Sequence, residues 1–132
     1  MKAVYPIVLS QGKEHIIVYV PDFQINTQGK NMADAMEMAR DAIGLMGIDM
    51  EDEREALPAP TALAATQAEN REQTVTLVDV DFTEYRRRND TRAVKKNCTI
   101  PSWLNAEAEK AGINFSATLQ SALKQSLNIT DQ

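Results

Sequence analysis

The sequence predicts an α+β protein in two parts, and three observations carry that prediction. Apolar residues alternate with a period of two through the first twenty residues, the period changes to 3.6 after Asn31, and a strand-like run with two amphipathic helices closes the chain. At 132 residues, 43% hydrophobic and 25% charged, the chain has the size and composition of one ordinary domain or two small ones.

The first part opens as a hairpin. Over residues 3–11, Tyr5, Ile7 and Leu9 point one way and Val4, Pro6 and Val8 the other, and Pro6 predicts an edge strand or a bulge. Gln11-Gly12-Lys13 supplies the turn, and residues 15–20, rich in β-branched side chains, return as the second strand until Pro21-Asp22 ends it. A short third strand is expected over 23–28. Asn31 then suits a helix N-cap, with Asp34 three residues on. Met32, Ala35, Met36, Ala39, Ala42, Ile43 and Met46 draw an apolar stripe for a helix of about four turns, with Glu37, Arg40 and Asp41 outside. Methionines at this spacing are read as core facing the sheet.

After Gly47 the acidic residues 49–55 and the Ala-, Pro- and Thr-rich residues 57–70 read as an irregular connection. Residues 73–81 return to alternation, Val75, Leu77 and Asp79 against Thr76, Val78 and Val80, and would extend the hairpin sheet. The first domain is therefore expected over residues 1–82. Residues 83–93 form a linker, and one helical turn over 82–88, capped by Thr83, acts as a bridge.

Charge divides the chain. Residues 1–60 carry 5 Lys/Arg against 10 Asp/Glu, whereas residues 91–132 carry 5 against 3. Arg86, Arg87, Arg88, Arg92, Lys95 and Lys96 crowd into the boundary with only Asp90 opposing them. An acidic front and a basic waist suggest two partners of opposite sign, or simply solvated faces. Cys98 is the single cysteine and His15 the single histidine, so one chain assembles neither a disulfide nor a Cys/His zinc site. The two are read as a small apolar side chain and a surface residue, and no cofactor is expected. The longest apolar run, residues 16–20, is far below the ~20 residues of a membrane span, and the expectation is a cytoplasmic protein with no membrane partner.

The last 40 residues carry the sharper chemistry. In residues 94–100 alternation sets Cys98 and Ile100 on one face and Lys95, Asn97 and Thr99 on the other. Pro101 opens a helix with Trp103, Leu104, Ala108 and Ala111 inside, and Gly112 closes it. Asn114 caps a second helix over 115–127, with Leu119, Ala122, Leu123 and Leu127 as its apolar side. One strand with two unpaired edges and two short helices lacks a core of its own, so the segment is expected to pair with a copy of itself. A two-stranded ribbon made in that way fits the major groove of DNA. Asn reads adenine, Lys the guanine acceptors and Thr a thymine methyl, while the amides of Phe115 and Ser116 suit a phosphate.

Through K-K-N-C-T-I-P-S-W-L, the closing A-G and N-F-S-A-T-L, residues 94–128 resemble the ribbon-helix-helix DNA-binding domains. That resemblance implies that Lys95, Asn97 and Thr99 read bases, that Cys98 and Ile100 are core, and that Asn114, Phe115 and Ser116 clamp the backbone. The whole chain resembles HicB-type antitoxins of type II toxin-antitoxin systems. The matching features are Y-P-I-V-L-S-Q-G-K-E-H-I-I-V-Y-V, P-D-F, T-Q-G-K-N before M-A-D-A-M-E-M-A, L-P-A-P-T, and V-D-V-D-F-T-E-Y-R-R-R. Gln24-Ile25-Asn26 departs from the Pro-Gly-Cys-like turn that the family carries there. The resemblance implies a small degenerate RNase H-like domain before a ribbon-helix-helix dimerisation domain over 94–132. Its implied partners are a HicA-like mRNA-cleaving toxin, operator DNA, and a second copy in a homodimer or a higher assembly.

Asp22, at the end of the second strand, is the candidate toxin contact, and an ordinary turn aspartate is the other reading. The leading expectation is thus a non-enzymatic antitoxin that also represses its own operon. Two alternatives remain: a stand-alone ribbon-helix-helix repressor with a ligand-sensing first domain, and a two-metal nuclease using Asp22, Glu37, Asp79 and Asp81.

Overall fold

A computed structural model describes residues 1–130, in which β1 (Lys2–Gln11), β2 (Ile16–Val20), β3 (Ile25–Gly29) and β4 (Thr74–Asp81) build one antiparallel sheet in the order β3-β2-β1-β4. Asp131 and Gln132, the end of the expected second domain, lie outside the described residues. The chain divides into two units, Met1–Arg92 and one beginning at Ala93.

The structure corrects the position expected for Pro6. β1 is a central strand, paired with β2 on one side and β4 on the other. Phe82 N–H donates to the Met1 carbonyl at 3.0 Å, which makes the even-numbered residues of β4 the ones bonded to β1. Pro6, opposite Leu77, is therefore not called on as a donor there. Towards β2 the ladder runs only from Val8–Tyr19 to Gln11–Ile16, so the missing N–H of Pro6 falls beyond the end of that strand. A proline is tolerated where no ladder bond is due.

Tyr5, Ile7 and Leu9 of β1, Val18 and Val20 of β2, and Val78 and Val80 of β4 form the buried inner face. Helix α1 (Met32–Asp52) covers it with Ala35, Ala39 and Ile43, all fully buried. Full burial of each Ile or Val contributes about 1.5–3 kcal/mol. The N-cap is Asn31, whose Oδ1 accepts from Asp34 N–H at 2.9 Å, while Asp34 Oδ2 accepts from the N–H of Lys30, the residue before the cap, at 2.8 Å. Of the expected methionine stripe, Met32 is exposed and Met36 and Met46 are half-buried, so the alanines do most of the contacting.

Helix α1 runs on through Gly44 and Gly47 and takes in most of the acidic segment that the sequence assigned to a loop. Both glycines are buried, and each faces an aromatic ring of α2 (Phe82–Asn89): a Cβ at Gly47 would overlap Phe82, and one at Gly44 would overlap Tyr85. They are contact points for α2 rather than stops. The N-cap of α2 is Asp81, whose Oδ1 accepts from Glu84 N–H at 3.2 Å; it is not Thr83, whose Oγ1 instead accepts from the Met1 ammonium at 2.8 Å. Much of the expected linker, 83–93, is thus helical and clusters with the first unit.

In the second unit, residues 94–100 form no strand. A strand is defined by a ladder to a neighbour, and no described residue pairs with this run. Helices α3 (Ser102–Lys110) and α4 (Phe115–Ser126) follow. Gly112 lies between them with φ +69°, a left-handed conformation that closes α3 at little cost only for glycine. Ile113 N–H reaches back to the Ala108 carbonyl at 3.0 Å to complete that closure.

Candidate functional site

In the first unit, the outer face of the sheet is the surface that α1 leaves free. Val4, Ile17, Tyr19 and Leu77 are exposed on it. The connection between α1 and β4 crosses part of this face and is pinned at two points. Tyr5 Oη donates to the Pro58 carbonyl at 2.9 Å, and Asp22 accepts from Thr61 twice, from N–H at 2.9 Å and from Oγ1–H at 2.5 Å. Burial, and then the nearby Asp22 carboxylate, push the Tyr5 phenol above its ordinary value. Beneath the connection lies a half-open cavity of about 440 Å³, with Val8, Ile17 and Tyr19 as an apolar floor and Asn26, Gln67 and Glu69 among its polar walls.

Both carboxylate oxygens of Asp22, the candidate toxin contact, are therefore occupied by Thr61. The sequence offered no sign of that link, because Thr61 follows only after the whole of α1. The other carboxylates named for a nuclease are spoken for as well. Arg40 bridges Glu37 at 2.7 Å and Asp79 at 3.2 Å, and Asp81 caps α2. The Arg40 hydrogen bond, together with a backbone bond and the positive charge, holds Asp79 below the usual carboxylate range. Among the described residues, no three His, Cys, Asp or Glu side chains are grouped to hold a metal ion.

The basic waist is largely neutralised by neighbours. Arg86 reaches Glu51 at 3.2 Å, Asp52 at 3.0 Å and the Ile48 carbonyl at 3.3 Å, which ties α2 to the last turn of α1. Arg87 and Arg88 both pair with Glu84. Arg92 grips Asp90 through Nε at 2.9 Å and Nη2 at 2.8 Å, and holds that carboxyl far below its ordinary range. Lys95 and Lys96 form no ion pair among the described residues, and so remain as free positive charge.

In the second unit, Lys95, Asn97 and Thr99 are all exposed on the extended run, and so are Cys98 and Ile100. Asn114 Oδ1 accepts from Ala117 N–H at 3.0 Å, which caps α4 and leaves the amides of Phe115 and Ser116 at an open helix N-terminus. Ser116 Oγ accepts from Gln120 Nε2 at 3.1 Å. No described residue of α3 or α4 is buried: Trp103 is 68% exposed and Leu127 67%, with Leu104, Leu119 and Leu123 exposed as well. None of the residues that the periodicity marks as core is buried within this unit. Among the described residues, no helix is long and apolar enough to cross a membrane.

Residues 5–123 match the family model of the HicB_like antitoxin of bacterial toxin-antitoxin system. Three solved structures share the fold. A chain of a toxin-antitoxin complex from Streptococcus pneumoniae is 24% identical with a TM-score of 0.61, covering 96% of this chain and 99% of that one. The antitoxin HicB of Burkholderia pseudomallei is 20% identical with a TM-score of 0.54, covering 97% and 98%. A chain of a HicA3 and HicB3 toxin-antitoxin complex is 24% identical with a TM-score of 0.51, covering 60% of this chain and 99% of that one. No curated protein matches the chain.

Proposed function

Because the chain belongs to the HicB-like antitoxin family of bacterial toxin-antitoxin systems, we propose that it neutralises a HicA-like, mRNA-cleaving toxin through its first unit and represses its own operon through its second. In this reading residues 1–82 are a degenerate RNase H-like, non-catalytic toxin-binding domain, residues 83–93 join it to the tail, and residues 94–132 form a ribbon-helix-helix dimer on operator DNA. The protein works in the cytoplasm, where mRNA is cut, and requires no cofactor.

The observation that carries the reading is the contrast between the two units. The first closes its own core, whereas the second buries no described residue of its helices and has an extended run with both edges open. A second copy supplies what is missing: a strand for the ribbon and an apolar face for α3 and α4. Lys95, Asn97 and Thr99 would then reach base edges, while the Asn114-capped end of α4, with the amides of Phe115 and Ser116, holds a phosphate. For the first unit, charge supports the toxin. Residues 1–92 carry 10 Lys/Arg against 16 Asp/Glu, and a ribonuclease must present positive charge to bind its polyanionic substrate. Asp22 is the proposed toxin contact; its carboxylate also accepts from Thr61, which holds the residue 57–73 connection beside it, and each oxygen keeps a further lone pair for the toxin.

Co-expression with the product of a small reading frame beside the gene tests the toxin assignment. Growth should be restored and a heteromeric complex should copurify; persistent toxicity with no complex would overturn it. The cavity under the connection favours one other reading, a stand-alone ribbon-helix-helix repressor whose first unit senses a small ligand. A harmless neighbour, and a chain that purifies only as a homo-oligomer, would select that reading.

A further inference from the structure

Granted the toxin-binding role of the first unit, we propose that the cavity beneath the 57–73 connection is a socket for one arginine side chain of the toxin, held by the Tyr19 ring and the Glu69 carboxylate. The strand register prepares the floor. Tyr19 stands opposite Asn26 on one side and opposite Val8 on the other, so its ring has a polar and an apolar neighbour on the outer face of the sheet. Ile17 completes the floor, and the connection supplies the wall with Gln67 and Glu69.

Three properties of this cavity fit one kind of guest. Charge is the first. Among the described residues Glu69 is the one charged side chain that lines the cavity, and it forms no ion pair, unlike Glu37, Glu51 and Glu84. Asp22, bonded to Thr61 on the same wall, adds a second negative charge nearby. The guest is therefore a cation. The second property is the Tyr19 ring, 38% exposed, whose face attracts a cation. The third is the apolar floor, which suits the methylene stem of a long basic side chain. Arginine fits better than lysine, because a planar guanidinium stacks on a ring and forks onto a carboxylate, whereas an ammonium is a strongly hydrated point charge. The volume, about 440 Å³, falls in the ~300–1,000 Å³ range of binding pockets and admits the side chain with the backbone that carries it. Because the cavity is half-open, a free small molecule would stay wet in it, while a side chain anchored in a protein brings the body that closes the mouth. A ribonuclease presents such side chains to bind its polyanionic substrate.

Titration calorimetry of the full-length chain with the product of the adjacent reading frame tests this. Glu69→Gln keeps the shape and removes the charge, and should weaken binding about 10- to 100-fold, as expected for a hydrogen bond to a charged group. Tyr19→Leu keeps an apolar floor and should weaken binding about tenfold. Glu72→Gln changes the net charge equally on the same connection but outside the cavity, and should bind as the wild type does. Unchanged urea midpoints confirm that the variants fold. One arginine of the toxin, changed to alanine, should erase the effect of Glu69→Gln. If wild type, Glu69→Gln and Tyr19→Leu bind equally, the socket is overturned and the toxin reading stands; if the wild type binds no toxin, both fall. Equal losses from Glu69→Gln and Glu72→Gln would reduce the effect to net charge and overturn the socket. So would a small molecule that copurifies with the wild type and is lost from Tyr19→Leu.

Discussion

A single methyl group decides whether α2 can lie on α1. In an open helix interior, Gly→Ala gains up to ~1 kcal/mol of helix propensity. At Gly47 the added carbon would strike the ring of Phe82, itself buried, and the same geometry recurs at Gly44 against Tyr85. Gly47→Ala is therefore expected to destabilise the first unit by about 1–3 kcal/mol, seen as a lower urea midpoint; a raised midpoint would mean that the rings move aside freely. Tyr85 adds a pH dependence. Burial first, then its 2.9 Å hydrogen bond to Asp41, raises the phenol from 10.0 to about 12. The folded state thus keeps the proton longer than the unfolded chain does. The resulting stabilisation is complete below about pH 10 and is lost as pH rises towards 12. Tyr85→Phe should flatten the fall in urea midpoint across that window, leaving the smaller part that belongs to Tyr5.

At the scale of elements, the connection over residues 57–73 is the part of the first unit that depends most on two side chains. Asp22 contributes two bonds to Thr61, and Tyr5 contributes one to Pro58. These bonds are partly exposed, so removing the Asp22 carboxylate should cost about 1 kcal/mol locally. Asp22→Ala is expected to speed limited proteolysis within 57–73 about fivefold while the urea midpoint of the sheet changes little. An unchanged cleavage rate would show that the connection is held by something other than this aspartate. The four strands of the sheet, α1, α3 and α4 were legible from periodicity because each pattern is local, and so were the caps at Asn31 and Asn114, whereas the same alternation over residues 94–100 yields no strand. What was not legible depended on partners distant in the chain. Gly47 resembled a helix stop because its partner, Phe82, lies beyond the whole connection, and Pro6 resembled an edge marker because only the register shows where β2 ends.

At the scale of the whole molecule, the two units differ in construction: the first closes its own core, and the second buries no described residue of its helices. The charge division seen in the sequence survives in the structure only in part. The arginines of the boundary are paired with Glu51, Asp52, Glu84 and Asp90, so the positive charge outside these ion pairs is that of Lys95 and Lys96 on the extended run. Lys95, Asn97 and Thr99 were placed together by alternation, which defines two faces only on a strand; in one chain residues 94–100 pair with no neighbour, and the three side chains lie exposed on an extended run. If the division of labour is right, the two activities separate by mutation. The most direct measurement is a growth-rescue assay on the full-length chain carrying Lys95→Ala, Asn97→Ala and Thr99→Ala, with operator binding followed at fixed salt. This variant should protect cells from the toxin as the wild type does and bind operator no better than unrelated DNA. Operator binding equal to wild type, or protection lost while the chain stays folded, would contradict it.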